Sequence, residues 1–300
     1  NRQAGTIWGA DNEFISAPRL DDVMCAYSCM NALIDSDESN QESVAVCAVF
    51  DNEEVGSSTK QGADSTFLSD VLMRIAACAG KDNEDYIRAC AGSFMLSADN
   101  AHAVHPNYQE KADPTNRPHM NKGIVIKYNA NQKYTTDAVS AAIFKEICTR
   151  AGVPTQEFAN RSDIPGGSTL GNIANCHVSM NTVDIGLAQL AMHSPYETAG
   201  IMDTEYMIKA VKEFFEKKFP KIKVKLIEGT YLQWLDFRAL GISDEELERF
   251  MHMDAQFFTD EGYIFGEEGS GYERINLAAP TWVIERELER LGKALEKIYK

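Results

Sequence analysis

Apolar side chains recur at helical and at strand spacing along the first two thirds of the chain. Residues 20–34 carry them every three to four positions, which predicts a helix. Residues 43–50, SVAVCAVF, are a continuous β-branched run that is typical of a buried central strand. Further helices are predicted at 65–78, 136–151 and 203–219, the last capped by Asp203, and further strands at 93–99, 123–130 and 178–187. The alternation of helix and strand predicts an α/β fold.

The pattern changes after Pro220, where shorter elements follow. Strands are predicted at 224–228, 231–237 and 271–280. Ser243 with Glu246 forms a capping box that predicts a helix start, and Pro280 opens an amphipathic helix that continues to the last residue. We place a domain boundary near residues 217–222, which gives a domain of residues 1–216 and a small α+β C-terminal unit of residues 217–300.

Composition and charge exclude several classes of function. The formal charge of −16 disfavours binding to nucleic acid or to anionic lipid, and no run of about 18 apolar residues predicts a membrane span. The first residues carry no signal-peptide pattern. The seven cysteines contain no C-x-x-C pair, so we interpret them as reduced thiols and predict a cytoplasmic protein without nucleic-acid or membrane partners.

Acidic residues and one histidine stand where predicted strands end, which is where open α/β sheets build their sites. Any one of them could be a cap, a turn residue or a surface group. Together they suit a pair of zinc, manganese or cobalt ions that activate water for hydrolysis, with one carboxylate as a bridge and another as a base. The residues are Asp21, Asp22, Glu53, Glu54, Asp99 and His193.

Six segments, in order along the chain, carry a resemblance to a known family. They are APRLDD at 17–22, FDNEEVGSSTKQGA at 50–63, SADNAHAVHPNY at 97–108, NKGIVIKYNANQKYTTDAV at 121–139, SDIPGGSTLG at 162–171 and LAMHSPYE at 190–197. In these segments the chain resembles the aspartyl aminopeptidase (aminopeptidase I) family of zinc metallopeptidases. The resemblance implies a zinc-peptidase-like α/β/α core with a mixed sheet and the release of N-terminal residues, acidic ones above all, from peptides.

The resemblance also implies a role for each acidic residue. Asp21 would bridge two zinc ions, Glu54 and His193 would complete one of them, Asp99 would bind the other, and Glu53 would be the general base. A base at Glu53 makes chemical sense, since it would take a proton from an acidified water and pass it to the leaving amine. The residues alone leave two alternatives open, because Glu53 could be a solvated strand-end charge and His193 a satisfied core histidine.

Substrate-binding residues are implied with less detail. Lys127 is similar in position to a lysine that pairs with an acidic substrate side chain, although an ordinary snorkelling lysine fits the strand equally well. His102 and His105 would brace the site from behind the metal ligands. Gly167 belongs to a glycine turn that either shapes the substrate pocket or makes a tight connection.

The sequence also departs from the family pattern, which includes an N-terminal stretch with one more histidine ligand and an inserted domain that drives assembly. This sequence starts downstream of both. The resemblance therefore predicts weak binding of the second metal, low activity, and exposed sheet edges or apolar faces that favour association, including a homo-oligomer.

The tail resembles a different family. Residues 228–250 and 271–280 are similar to the C-terminal small domain of pyridoxal-phosphate C-S lyases of the aminotransferase superfamily, in which Arg274 would bind a substrate carboxylate. Arg274 could equally be a strand arginine in a surface pair. No segment resembles that family's Schiff-base lysine region, so pyridoxal phosphate is not expected. A hybrid of two sequences that meet at 212–221 is the favoured interpretation, a natural fusion the other. A C-S lyase and a catalytically incomplete fragment remain alternatives to the peptidase.

Overall fold

The computed structural model describes residues 3–36, 43–216, 232–276 and 281–298. The chain separates into two compact units, Asn1–Lys217 and Lys218–Lys300. No helix among these described residues is long and apolar enough to cross a membrane.

The first unit alternates helices and strands, as the sequence predicts. The helices are α1 Leu20–Ile34, α2 Phe67–Cys78, α3 Asn83–Ala91, α4 Ala138–Ala151, α5 Leu170–Ala174 and α6 Ile201–Glu216, with a 3₁₀ turn at Gln109–Lys111. The strands are β1 Thr6–Trp8, β2 Phe14–Ala17, β3 Phe94–Ala98, β4 Ala101–His102, β5 Ile124–Tyr128, β6 Thr155–Ala159, β7 Asn181–Gly186, β8 Ala188–Leu190 and β9 Glu197–Gly200.

Two mixed sheets organise this unit. One has the order β3-β7-β5-β6, with β3 parallel to β7, β7 antiparallel to β5 and β5 parallel to β6. The other has the order β1-β2-β9-β8-β4, in which only β8 and β4 pair in parallel. The chain passes from β3 to β4 beside the stretch from β7 to β8, and the N–H groups of Asp99 and Ala101 donate to the carbonyls of Ile185 and Leu187. The ladder therefore continues across both sheets at this point.

The core of the first unit lies between the sheets and helices α1, α4 and α6. Helix α4 begins at a capping box in which Asp137 accepts the N–H of Ser140, and it ends at Gly152 in the left-handed conformation. Phe144 and Ile147 lie three residues apart on one face of α4. Both are buried in the same apolar cluster as Ile126 of β5.

The prediction of a buried central strand at residues 43–50 is wrong. These residues form no strand, and Val44, Val46 and Val49 are 77%, 42% and 50% exposed. A β-branched run forms a strand only where another strand accepts its backbone hydrogen bonds, and within the described part of the chain none pairs with this run. Helices α2 and α3, which follow, also bury no residue.

Asp203 does not cap α6, which corrects the prediction made for it. The helix begins two residues earlier, and Asp203 is fully buried within its first turn. Its two carboxylate oxygens accept the backbone N–H groups of Asn121 at 2.6 Å and Gly123 at 2.9 Å. The carboxylate therefore ties α6 to the turn before β5.

The second unit is a small α+β structure with its own apolar core. Its strands β10 Leu232–Asp236, β11 Asp260–Glu261 and β12 Tyr272–Asn276 form an antiparallel sheet in the order β10-β12-β11. Its helices are α7 Asp244–Arg249, a π-helical continuation Phe250–Asp254 and α8 Thr281–Ile298, with 3₁₀ turns at Arg238–Leu240, Gly262–Phe265 and Glu267–Gly269. The predicted capping box of Ser243 and Glu246 is confirmed. The predicted strand at 224–228 and the start at Pro280 lie outside the described residues.

Glu273 on β12 makes the stability of this unit depend on pH. It is 2% exposed and accepts a 2.6 Å hydrogen bond from the Thr259 hydroxyl. Burial, with the nearby charges of Glu261 and Glu248, raises the pKa of Glu273 to about 7. A glutamate in the unfolded chain has a pKa of about 4.3, so the folded unit binds more protons between these values. The stabilisation that Glu273 gives to the folded unit is therefore complete below about pH 4.3, and it is lost as the pH rises through about 7.

We expect the free energy of unfolding of the second unit to fall by about 2 kcal/mol from pH 5 to pH 8 through this group. Hydrogen exchange of the β10 and β12 amides in the full chain measures this free energy of unfolding, once the rates are corrected for the pH dependence of intrinsic exchange. Glu273→Gln should remove most of the difference, whereas Glu289→Gln, at an exposed site, should not. An unchanged pH dependence in Glu273→Gln would contradict the assignment.

Candidate metal centre

The break between β3 and β4 places Asp99 at the edge where the parallel strands end. A glycine opposite makes this arrangement possible, because a Cβ added to Gly186 would lie 2.0 Å from the Asp99 carbonyl oxygen. The neighbouring Asn100 is buried, and its amide donates to the Leu20 carbonyl and to the Gln189 side chain, each at 2.9 Å. Asn100 thereby holds the Asp99 loop against the start of α1 and against β8.

Asp21, Glu54 and His193 come together from three separate segments. His193 Nε2 lies 2.6 Å from Glu54 Oε1 and 3.1 Å from Asp21 Oδ2. One ligand atom from each residue lies within 4.8 Å of the others. The Asp21 side chain is 2% exposed, while Glu54 and His193 are both more than half exposed. The cluster is therefore buried on the side of Asp21 and open to solvent on the side of Glu54 and His193.

Asp99 joins the same centre through Asp21. Single oxygens of Asp21, Asp22 and Asp99 also lie within 4.8 Å of one another, so Asp21 is common to two groups of ligand atoms. Lys127 Nζ pairs with Asp99 Oδ2 at 2.9 Å. Asp21 thus links Asp99 to the group of Glu54 and His193, and the ligand roles of these four residues stay predictions.

The electrostatics of this cluster suit a cation. Asp21 Oδ1 and Asp22 Oδ1 are buried and have no hydrogen-bond partner. Burial, the charge of Asp99 and the contact with Glu54 raise the pKa of Asp21 to about 7. Burial and the charge of Asp99 raise the pKa of Asp22 well above its usual range. Carboxylates that are costly to ionise by themselves become favourable ligands once a divalent ion compensates their charge. The donor set of carboxylates and one imidazole fits zinc.

Glu53 lies beside these ligands and lines the same cavity. Burial, followed by the charges of Asp99 and Glu54, raises the pKa of Glu53 to about 7. A carboxylate with a pKa near neutrality can accept a proton and return it within one reaction cycle. Glu53 is half-buried and follows no strand, which argues against a solvated strand-end charge, and its role as general base stays a prediction.

Glu197 is a residue that sequence reasoning missed. It is 2% exposed at the start of β9, and its two carboxylate oxygens accept the N–H of Asp21 at 2.9 Å and the N–H of His193 at 2.7 Å. His193 has a φ of 64°, which is unusual for a residue other than glycine, and this hydrogen bond supports that conformation. The available signal was the glutamate that ends the segment LAMHSPYE, four residues after the candidate ligand His193.

A cavity of about 670 Å³ opens over the cluster. The candidate substrate residues Lys127, His102 and Gly167 line it, as does His105. Lys127 is 3% exposed, so its interpretation as a snorkelling lysine is wrong. Burial acts to lower the pKa of Lys127, but the adjacent Asp99 outweighs it and the pKa is raised. Burial and the charge of Lys127 lower the pKa of His102, which favours a neutral imidazole.

The second unit contains the remaining candidate, Arg274. Its Nη2 pairs with Asp260 Oδ2 at 2.8 Å, and its guanidinium carbon lies 4.2 Å from the centre of the Phe265 ring. These contacts agree with the alternative of a strand arginine in a surface pair. Glu248, His252 and Glu261 also approach one another within 4.8 Å, but Glu248 accepts the Tyr263 hydroxyl and His252 contacts Glu261.

Comparisons with known proteins cover the first unit. The family model described as aminopeptidase I zinc metalloprotease (M18) matches residues 1–215. A probable M18 family aminopeptidase 2 of Clostridium acetobutylicum is 54% identical over 211 residues, which are 70% of this chain and 48% of the relative. A probable aspartyl aminopeptidase of Ricinus communis is 42% identical over 219 residues, 71% of this chain and 45% of the relative.

Solved structures agree with the fold. The S. cerevisiae mApe1 dodecamer matches with a TM-score of 0.63 and 33% identity over 71% of this chain and 48% of that chain. The expected mixed α/β fold is thus confirmed for the first unit. The chain spans about half the length of the curated relatives it matches. Since the family model ends at residue 215, the resemblance of the tail to pyridoxal-phosphate enzymes stays a prediction.

Proposed function

We propose that this chain, which belongs to the M18 family of aminopeptidase I zinc metalloproteases, hydrolyses the first peptide bond of peptides that begin with an acidic residue. The observation that carries the proposal is the meeting of Asp21, Glu54 and His193, with ligand atoms within 4.8 Å, beside Asp99 and Glu53. The chain spans about half of its relatives, so its activity remains a proposal. The same residues support zinc as the metal, with two ions sharing Asp21.

The reaction needs an acidified water, an oriented peptide and a base. Zinc held by Asp21, Glu54 and His193 would lower the pKa of a water and polarise the scissile carbonyl. Glu53 accepts the proton of that water and donates it to the leaving amine, for which a pKa of about 7 is suited. Asp99 holds Lys127 in place in the same cavity.

Preference for an acidic first residue is supported by the ammonium of Lys127, which lines the cavity beside Asp99. Lys127 keeps its proton because of the neighbouring Asp99, and it lines the cavity. An ammonium at this place attracts a substrate carboxylate. A similar protein of Ricinus communis is named a probable aspartyl aminopeptidase, which agrees with this preference.

Metal removal tests the function directly. We expect the purified chain to hydrolyse an aspartyl chromogenic amide, to lose that activity after exhaustive chelation and to regain it with zinc. The leucyl amide of the same chromophore is the control, and we expect its kcat/KM to be at least about tenfold lower, which corresponds to one missing ion pair of about 1.4 kcal/mol. An equal rate on both amides, or activity that survives chelation, would contradict the proposal.

A similar solved structure and the cysteines bear on assembly and location. The S. cerevisiae mApe1 structure is a dodecamer, and we propose that this chain also forms homo-oligomers. All seven cysteines are free, and five of them are buried or partly buried, which supports a reducing, cytoplasmic location. The acidic charge supports a peptide rather than nucleic acid as the partner.

A further inference from the structure

We propose that Asp184 positions the substrate, because its buried carboxylate joins two segments of the cavity wall and thereby sets how tightly the first residue of a peptide is bound. The inference rests on the proposed function, since the substrate is the acidic peptide proposed above. Asp184 is a positioning residue and not a catalytic one, because it is fully buried and its neighbours line the cavity in its place.

Asp184 lies on β7, and it binds two segments that are distant from it in sequence. Its Oδ2 accepts the N–H of Thr135 at 2.6 Å and the Thr135 hydroxyl at 2.7 Å. Its Oδ1 accepts the Thr169 hydroxyl at 2.7 Å. The backbone N–H of Asp184 also donates to the Thr136 hydroxyl oxygen at 2.9 Å. One strand residue therefore holds both segments, through its side chain and through its backbone.

Both segments contribute to the cavity over the candidate metal centre. Thr169 lines it, and so does Tyr134, the neighbour of Thr135. The centre of the Tyr134 ring lies 5.5 Å from Nζ of Lys127, the candidate partner of an acidic substrate side chain. A shift of Thr135 would therefore move Tyr134 relative to Lys127. A shift of Thr169 would move the glycine turn that contains Gly167.

The surroundings of the carboxylate differ from those of a residue that only fills space. A buried carboxylate is costly unless hydrogen bonds compensate for the lost water. Thr169 is the N-cap residue of α5, yet its hydroxyl makes no capping bond and donates to Asp184 instead. A Cβ added to Gly171 would lie 2.7 Å from Asp184 Oδ1, so glycine allows α5 to approach the carboxylate closely. The start of α5 is thus fitted to Asp184.

Replacing Asp184 with leucine tests the inference. Leucine has a similar shape but accepts none of the three hydrogen bonds, so both segments lose their common partner. We expect KM for the aspartyl chromogenic amide to rise by more than about tenfold while kcat changes by less than about threefold. The zinc content should stay unchanged. Asp184→Asn should restore most of the affinity, because an amide can accept the N–H of Thr135 and donate to the Thr169 hydroxyl oxygen.

A milder variant covers the case in which Asp184→Leu loses its near-ultraviolet circular dichroism and has not folded. Thr135→Val keeps the shape of the side chain and removes one hydrogen bond to Asp184. It should raise KM by about three- to tenfold, the size of effect that one hydrogen bond gives. Thr149→Val is the matched control, because its hydroxyl donates to the Lys145 carbonyl at an exposed position on α4. It should leave KM unchanged.

Binding of L-aspartic acid hydroxamate, measured by calorimetry, follows the same variants without requiring turnover. Its Kd should rise by the same factor as KM. A lower kcat at unchanged KM in Asp184→Leu, or an unchanged KM and Kd in Thr135→Val, would overturn the role of Asp184, while wild-type turnover of the amide would leave the proposed function standing. A wild-type chain that binds the hydroxamate without hydrolysing the amide contradicts the proposed function, and the Kd values still test Asp184. A chain that does neither contradicts both.

Discussion

Replacing Glu53 with glutamine is expected to lower kcat on an aspartyl chromogenic amide by about 10²–10⁴-fold, while the zinc content stays unchanged. Glutamine keeps the length and shape of the side chain but cannot accept the proton of the attacking water. Burial, followed by the charges of Asp99 and Glu54, raises the pKa of Glu53 to about 7, which lies in the range that a general base needs. Steady-state kinetics and elemental analysis on the same preparation measure both quantities.

The adjacent residue offers a matched control. Glu54→Gln is the same substitution one position away, but Glu54 contacts His193 at 2.6 Å and belongs to the group of ligand atoms. We expect this variant to lose zinc first and activity as a consequence, and to regain activity at high zinc concentration. Glu53→Gln should not respond to added zinc. A Glu53→Gln variant with normal kcat would exclude Glu53 as the base and would leave the metal ligands in place.

Glu197→Gln is expected to weaken zinc binding by about 10–100-fold without unfolding the chain. The carboxylate accepts one N–H from Asp21 and another from His193. A glutamine has one acceptor oxygen, so its NH₂ group would face one of these N–H donors. Asp21 or His193 would be displaced but would still be present as a ligand, as expected for the loss of a positioning residue. Competition with a chromogenic zinc chelator gives the affinity of each variant.

The control for Glu197 is Glu205→Gln, the same change at an exposed position on α6, where Glu205 pairs with Lys209 at 2.6 Å. It should bind zinc normally. Thermal unfolding of the metal-free proteins measures any loss of stability that does not involve zinc. The loss of one buried hydrogen bond costs about 1–3 kcal/mol, with or without zinc. Equal zinc affinity in Glu197→Gln and the wild-type chain would show that the two backbone hydrogen bonds do not hold the ligands.

Local patterns predicted most elements of the first unit because helical periodicity and capping residues act over a few positions. The predicted helix at 20–34 matches α1, and the predicted strand at 123–130 contains β5. The prediction failed at 43–50, where strand formation depends on a partner that local sequence does not specify. It failed again at Asp203, whose carboxylate accepts N–H groups 82 and 80 residues away in sequence instead of capping its own helix.

The sequence by itself determined the α/β class, the family and the chemical type of the candidate ligands, because short-range periodicity and whole motifs carry that information. The tertiary structure alone decided how these ligands are arranged. It brought Asp21, Glu54 and His193 together, paired Lys127 with Asp99 and placed Glu197 beneath two ligands. The physical reason is that distance and burial set the interaction between charges, and both arise only when segments up to 176 residues apart in the chain pack against one another.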